Sequence, residues 1–458
     1  MTERLVVIGG DAAGLSAASQ ARKRRGREDL EIVVFERGRH ASYSACGIPY
    51  LVSGEVSDPE DLVARRPEVF RDEMDIDLRL RSEVVEIDLE RRAVAVRAQD
   101  GGLRREPFDQ LVVATGAVPS RPDLPGATAE GVHGVQTLDD GIALLRALES
   151  RRPRRAVVIG GGYIGLEMAE AMLKRGLEVT LIEAGPQPMG TLDPDMGAMV
   201  ADALRGLGAE IHLGEPVEEL HHEDGRVTAV RTADRTVPAD LVVLGLGTRP
   251  NSALAREAGI EVGPTGGIRT DRRMRTSAEG VWAAGDCVET FHLVSRRPVA
   301  IALGTHANKQ GRAVGINIGG GYASFPGVIG TAVCKVCEYE VARTGLTTAE
   351  AARAGFETVE ESVESTTRAG YYPGAMRMTT KVIADRATGR LLGAQIVGRE
   401  GAAKRIDALA VAIWHEMTVA DMTGLDLSYA PPFAPVWDPV LIAARKAAER
   451  LEPARTRP

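Results

Sequence analysis

Cysteine is scarce in this chain of 458 residues: four, scattered, too few for a secreted scaffold stapled by disulfides. Positive charge is not in excess either. Lys and Arg number 56 against 64 Asp and Glu, a net charge of −8, which argues against wholesale nucleic-acid binding. No apolar stretch approaches the ~18 residues that span a bilayer. Met1–Arg4 runs directly into apolar Leu5–Ile8 with neither a signal-peptide core nor a cleavage site. A cytoplasmic protein with reduced thiols, no membrane partner and no nucleic-acid partner is therefore expected. The hydrophobic fraction of 44% and charged fraction of 26% exclude a disordered or fibrous chain. At roughly 150 residues per domain, the length suggests about three domains.

Glycine is what the chain has in surplus. Its 51 glycines are about 11% of the sequence, against ~7% in ordinary proteins, so several tight turns must be shaped by it. The first segment reads as a buried parallel strand (Leu5–Ile8), a glycine turn (Gly9-Gly10-Asp11-Ala12-Ala13-Gly14), a helix to about Arg25 and a strand ending in Glu36. The same grammar returns at 156–183. There Gly160, Gly162 and Gly165 open a helix to about Arg175, and Glu183 ends the next strand.

In such a unit the glycines permit a sharp turn, close approach of a pyrophosphate and tight helix packing. The helix N-terminus attracts the phosphates, and the acid ending the second strand takes the ribose hydroxyls. Gly160, Gly162, Gly165 and Glu183 fit in full; in the first copy Asp11 replaces the middle glycine. Glu183 repels a 2′-phosphate, and Ala184-Gly185-Pro186 offers no arginine to offset it, so NADH is expected over NADPH.

Two further strands end in A-T-G (Thr115-Gly116) and G-D (Gly285-Asp286). With them the sequence resembles the FAD-dependent pyridine nucleotide–disulfide oxidoreductases along nearly its whole length. The resemblance implies an α/β fold of two Rossmann-like, three-layer ββα domains and an α+β dimerisation domain. The FAD domain would be discontinuous, 1–118 and 245–327, around an NAD domain at 119–244. A dimerisation domain at 328–451 and a tail at 452–458 would follow. FAD contacts are expected at Gly9, Gly10, Ala13, Gly14, Glu36, Arg37, Ser44, Val84, Thr115, Gly116 and Asp286. NAD contacts are expected at Gly160, Gly162, Tyr163, Ile164, Gly165, Glu183 and Gly247.

Cys46, in Ser44-Ala45-Cys46-Gly47-Ile48-Pro49-Tyr50, lies where this superfamily places its redox cysteine. The usual second cysteine, five residues on, is Leu51. A single thiol closes no internal disulfide, so its oxidised form must be a mixed disulfide, persulfide or sulfenate. Gly47–Tyr50 is expected to open a helix whose N-terminus lowers the thiol pKa. Cys334 and Cys337 lack a second C-x-x-C or a histidine pair, and a strand would turn them to opposite faces, so no metal site is expected. Cys287 reads as core filler.

The cysteine segment, Tyr371-Tyr372-Pro373-Gly374 and Tyr429-Ala430-Pro431-Pro432 narrow the resemblance to the single-cysteine coenzyme A-disulfide reductases, NAD(P)H sulfur or persulfide reductases and NADH oxidases. It implies a homodimer with shared active sites, Cys46 as nucleophile, and Tyr372 and Tyr429 supplied by the other subunit. Coenzyme A is the implied ligand of Ser16, Gln20, Lys23, Ser42, His306 and Arg368. Ala45 and Trp437 depart from the better-known CoA-disulfide reductases, where an asparagine and a CoA-binding lysine stand. Ala12 replaces a histidine found in flavin peroxidases, which argues against a dedicated peroxidase. The resulting expectation is an FAD enzyme using NADH to reduce CoA disulfide, persulfides or polysulfides. The alternatives are an NADH oxidase working through a Cys46 sulfenate and a flavin electron-transfer or redox-sensing protein.

Overall fold

A computed structural model describes residues 2–120 and 123–451; the tail expected at 452–458 lies outside them. Two five-stranded parallel sheets carry the two nucleotide-binding patterns. In the first, Glu3–Ile8 is central, flanked by Leu30–Phe35 and Gln110–Val113, with Asp77–Arg79 and Val281–Ala283 at the edges. In the second, Arg155–Ile159 is central between Glu178–Glu183 and Leu241–Leu244, with Glu210–Leu213 and Val132–Gly134 at the edges. The central strands are apolar because both faces are covered: Leu5, Val6, Val7, Val157 and Val158 are all buried.

Each parallel sheet is accompanied by a three-stranded antiparallel sheet, Glu83–Pro107 in the first and Val217–Pro238 in the second. The chain passes between the two units through the antiparallel pair Ala117–Pro119 and Thr248–Pro250. The third unit is a five-stranded antiparallel sheet of Ala332–Val336, Tyr339–Gly345, Leu391–Gly398, Arg377–Asp385 and Thr358–Thr366. The expected α/β architecture with an α+β third domain is what the chain builds.

Some details differ from the sequence reading. The first helix ends at Arg22, not Arg25, and the second at Lys174. The expected run of helix from Ala402 to Leu451 is broken between Met422 and Pro439, where Pro431, Pro432 and Pro435 cannot continue a helix. Among the described residues no helix is long and apolar enough to cross a membrane.

Candidate active site

Both glycine turns are shaped by contacts that exclude a side chain. A Cβ on Gly9 (φ +111°) would lie 2.1 Å from the Ala114 carbonyl oxygen, and one on Gly160 (φ +102°) 2.4 Å from that of Gly245. Gly14 and Gly165 sit equally close to the carbonyls of Gly9 and Gly160, which lets each helix lie on its strand. Gly162, by contrast, faces open space, as approach by a pyrophosphate requires.

The acids close each turn in the same way. Glu36 accepts the N–H groups of Gly10 and Gly38, both at 2.7 Å. Glu183 accepts those of Gly161 at 2.5 Å and Gly185 at 2.6 Å. The duplication seen in sequence is therefore a duplication of hydrogen bonding. These turns fit two dinucleotides, which Glu36, Arg37, Thr115 and Asp286 on one side and Glu183 and Gly247 on the other could hold. Thr115 and Gly116 are braced by Asn251: Thr115 Oγ1 donates to its carbonyl at 2.6 Å, and its N–H donates to Gly116 O at 2.9 Å. Gly285 N–H donates to buried Gln310 at 2.8 Å. Ala13 is buried beneath this turn, and Gly285 stands close against it. Val84 lies in the antiparallel sheet beside the first unit, whereas Tyr163 and Ile164 are half-buried at the second helix start.

Cys46 is placed by a pinned segment. Ser42 N–H donates to Gly10 O at 3.0 Å, Ala64 N–H to Ser42 O at 2.8 Å and Ser44 N–H to Leu62 O at 2.8 Å. Gly47 leaves room for Leu62, whose Cδ2 a Cβ would meet at 2.3 Å. Leu51, at the position of the missing second cysteine, is 1% exposed and packs with Ile48 and Val52 into the core. Cys46 is free and exposed. Its thiol pKa is raised, first by the partial burial of this exposed residue's sulfur and then by the carboxylates Glu167, Asp286 and Asp11. This corrects the expected lowering. Ala45–Gly47 is a single 3-10 turn leading into a six-residue helix, and burial with surrounding negative charge outweighs so short a helix.

The acids around it are themselves shifted. Asp11 is pushed up to about 6 by burial and by Glu36. Asp286 is pushed up to about 6 by burial, and Glu167 to about 7 by burial and Glu170. The other cysteines are buried and free. Cys287 donates to Ala284 O at 3.3 Å, and burial pushes its thiol up to about 11. Cys334 lies in the strand Ala332–Val336 as expected, but Cys337 is in the following hairpin turn at φ +61°. Both pack near the helix Tyr163–Lys174, where Cys337 N–H donates to Glu170 at 2.7 Å. Among the described residues no cluster of metal-ligating side chains is present.

A cleft of about 490 Å³ runs from the first glycine turn along its helix, lined by Asp11, Ser16, Gln20, Ser42, Ser44 and two arginines, Arg65 and Arg312. It gathers three of the expected CoA contacts, Ser16, Gln20 and Ser42. Lys23 is exposed at the far end of the same helix, ~16 Å along its axis from Ala12. His306 does not line the cleft. Burial pushes it down to about 4, its ring lies near Phe325, and Asn308 takes its place, accepting from Ser16 Oγ at 2.8 Å. Arg368 belongs to the third unit, 3.5 Å from Glu400, and no residue of that unit lines the cleft. Arg65 lies over the Phe70 ring at 5.5 Å. Neither Arg65 nor Arg312 has a carboxylate partner among the described residues. Isolated arginines give no sequence signal, so both were missed.

On the third unit Tyr371, one residue before the expected Tyr372, neighbours Tyr429 and pushes its phenol up. Tyr372 is half-buried beside it, and its backbone N–H donates to Ala369 O at 2.8 Å. Arg405 holds the two tyrosine segments together, donating to Thr367 O at 2.7 Å and Phe433 O at 2.8 Å. Tyr371, Phe433 and Val436 are 78%, 75% and 67% exposed, a patch too apolar to be ordinary surface.

Residues 3–311 match the pyridine nucleotide-disulphide oxidoreductase family, and residues 331–439 its dimerisation domain. The chain belongs to that family. This oxidoreductase uses FAD and NAD(P)H and carries the domain through which such proteins form homodimers. It is 41% identical over 442 residues to an NAD(P)H sulfur oxidoreductase (CoA-dependent) of Pyrococcus abyssi, covering 96% of this chain and 97% of that one. Among solved structures it resembles the reduced CoADR-RHD of Bacillus anthracis, with TM-score 0.95 and 33% identity over 98% of this chain and 81% of that one. An NAD-dependent persulfide reductase from A. fulgidus matches at TM-score 0.94 and 40% identity, covering 98% and 83%.

Proposed function

We propose that this protein is an FAD-dependent NADH oxidoreductase that reduces CoA disulfide, or persulfides of CoA and related thiols, through Cys46. The observation that carries the reading is the isolation of one exposed thiol, with Leu51 in the core, two residues from a cleft wall that bears Ser44, Arg65 and Arg312. Bound FAD would supply the two-electron connection to NADH. Its contacts would be Gly9, Gly10, Ala13, Gly14, Glu36, Arg37, Ser44, Val84, Thr115, Gly116 and Asp286. Those of the coenzyme would be Gly160, Gly162, Tyr163, Ile164, Gly165, Glu183 and Gly247.

The chain's own work is sulfur chemistry. The Cys46 thiol loses its proton and attacks one sulfur of the substrate, forming a Cys46–CoA disulfide and expelling one thiolate. Two electrons and protons then return Cys46 to the thiol and release the second thiol. Net, one disulfide, one NADH and one proton become two thiols and NAD+. With a persulfide, hydrosulfide replaces one thiol. Arg65 and Arg312 would hold the ligand's phosphates with Ser16, Gln20 and Ser42 beside them, and Lys23 at the cleft's surface end.

Tyr371 and Tyr429 of the partner subunit would donate a hydrogen bond to the leaving thiolate. Their exposure, and the absence of any third-unit residue from the cleft, favour active sites shared across the dimer. We place the domain limits at 118/119 and 244/245, supported by the paired crossing strands, and at 327/328. Reduced thiols suit a cytoplasmic setting. The test is NADH oxidation without oxygen, with CoA disulfide, CoA persulfide and polysulfide each offered separately. Turnover with any of them supports the reading; turnover with oxygen alone makes the protein an oxidase.

A further inference from the structure

The loop after Glu183 is held at both ends. Near the coenzyme turn, Met189 N–H donates to Gly161 O at 2.7 Å, folding the loop back over the glycines. Its far end, residues 191–195, lies across the third unit's antiparallel sheet. Four side chains that stand in register on adjacent strands, Arg343, Gln395, Lys381 and Ser362, all reach it. Arg343 donates to Thr191 O at 3.0 Å, and Gln395 Oε1 accepts the Asp193 N–H at 2.8 Å. Lys381 Nζ lies 3.1 Å from Asp193 and 2.9 Å from Asp195, and Ser362 Oγ donates to Asp195 at 3.4 Å. Asp193 and Lys381 are buried, their side chains 3% and 7% exposed.

A buried ion pair stabilises little compared with apolar packing, because both charges must be desolvated. What it does supply is register. Here the register concerns one loop, and that loop begins at the acid expected to take the coenzyme ribose.

We propose that Lys381, with Gln395, is a positioning residue for pyridine-nucleotide binding, seating the 183–193 loop from the dimerisation sheet. The proposal rests on the coenzyme reading of Glu183. Coenzyme affinity is then set partly by a domain that does not touch the coenzyme. Coupling through such a contact typically changes affinity by about 5- to 150-fold.

The experiment is anaerobic stopped-flow reduction of the holoenzyme flavin by NADH, with no acceptor present, so the identity of the sulfur substrate does not enter. Lys381→Met should raise the NADH concentration for half-maximal reduction by about tenfold or more. The limiting rate at saturating NADH should stay within about twofold, and Lys381→Arg should recover most of the affinity. Gln395→Leu, which leaves the charges paired, should shift half-saturation in the same direction and decides the matter if Lys381→Met does not fold. Unchanged half-saturation in the folded variants, alongside a clear shift in Glu183→Ala, overturns the role of Lys381 and leaves the coenzyme reading standing. If Glu183→Ala also changes nothing, the coenzyme reading itself fails.

Discussion

Glu183 accepts the Gly161 N–H at 2.5 Å, the same bond that Glu36 makes to Gly10 at 2.7 Å one nucleotide-binding unit earlier. Each carboxylate ends its strand beside its own glycine turn, where a ribose would lie. Around Glu183 no arginine stands between Ala184 and Met189 to receive a 2′-phosphate. Catalytic efficiency with NADH should therefore exceed that with NADPH by at least about tenfold at physiological salt, roughly 1.4 kcal/mol. Steady-state kinetics with both coenzymes check this, and Glu183→Ala should narrow the ratio.

Replacing Cys46 by serine should leave the flavin bound and reducible by NADH, because neither nucleotide turn depends on the thiol. Turnover of disulfides or persulfides should fall by at least about 10³-fold, as expected when a nucleophile is removed. Loss of flavin from the variant would point instead to a structural role for Cys46.

The two tyrosines of the Y-Y-P-G segment separate by position. Tyr371→Phe should lower disulfide turnover by about 100-fold, the low end of what loss of a positioned proton donor costs. Tyr372→Phe should change it little. The pair of variants, assayed at saturating NADH, distinguishes the Tyr371–Tyr429 pair from the assignment read along the sequence.

Burial pushes Asp11 and Asp286 up to about 6 in the folded protein, against 3.8 for an ordinary aspartate, and Glu36 adds to the shift of Asp11. The folded state thus binds more protons than the unfolded chain across this window, and stability contributed by these groups falls as pH rises through it. In the flavin-free protein, Asp11→Asn should raise stability at pH 8 by on the order of 2 kcal/mol, and by little at pH 4. Urea denaturation at the two pH values reads this directly.

Much of this was legible in the sequence because it depends on local pattern. Two glycine turns, each followed by an acid, specify strand–turn–helix units whatever lies around them, and the resemblance supplied the third domain and the order of segments. What was not legible depends on chain segments meeting. The raised Cys46 thiol comes first from partial burial and then from Glu167, 121 positions away, neither visible from the helix that follows the cysteine. Tyr371, more exposed than Tyr372, is the neighbour of Tyr429, which adjacent tyrosines in a sequence do not reveal. His306 is half-buried beside Phe325, and Asn308, two residues on, reaches the cleft in its place. The grip on residues 191–195 comes from four separate strands aligned by sheet register, and from Thr348 at a helix start.

In this reading one thiol, Cys46, carries electrons from NADH to a sulfur substrate. Its most direct test is anaerobic NADH oxidation with CoA disulfide, CoA persulfide or polysulfide, run in parallel on the wild type and Cys46→Ser. The wild type should turn over with at least one of them, one NADH per sulfur–sulfur bond cleaved, and the variant with none. Equal rates for the two proteins, or no anaerobic turnover by the wild type with any of the three, would contradict it.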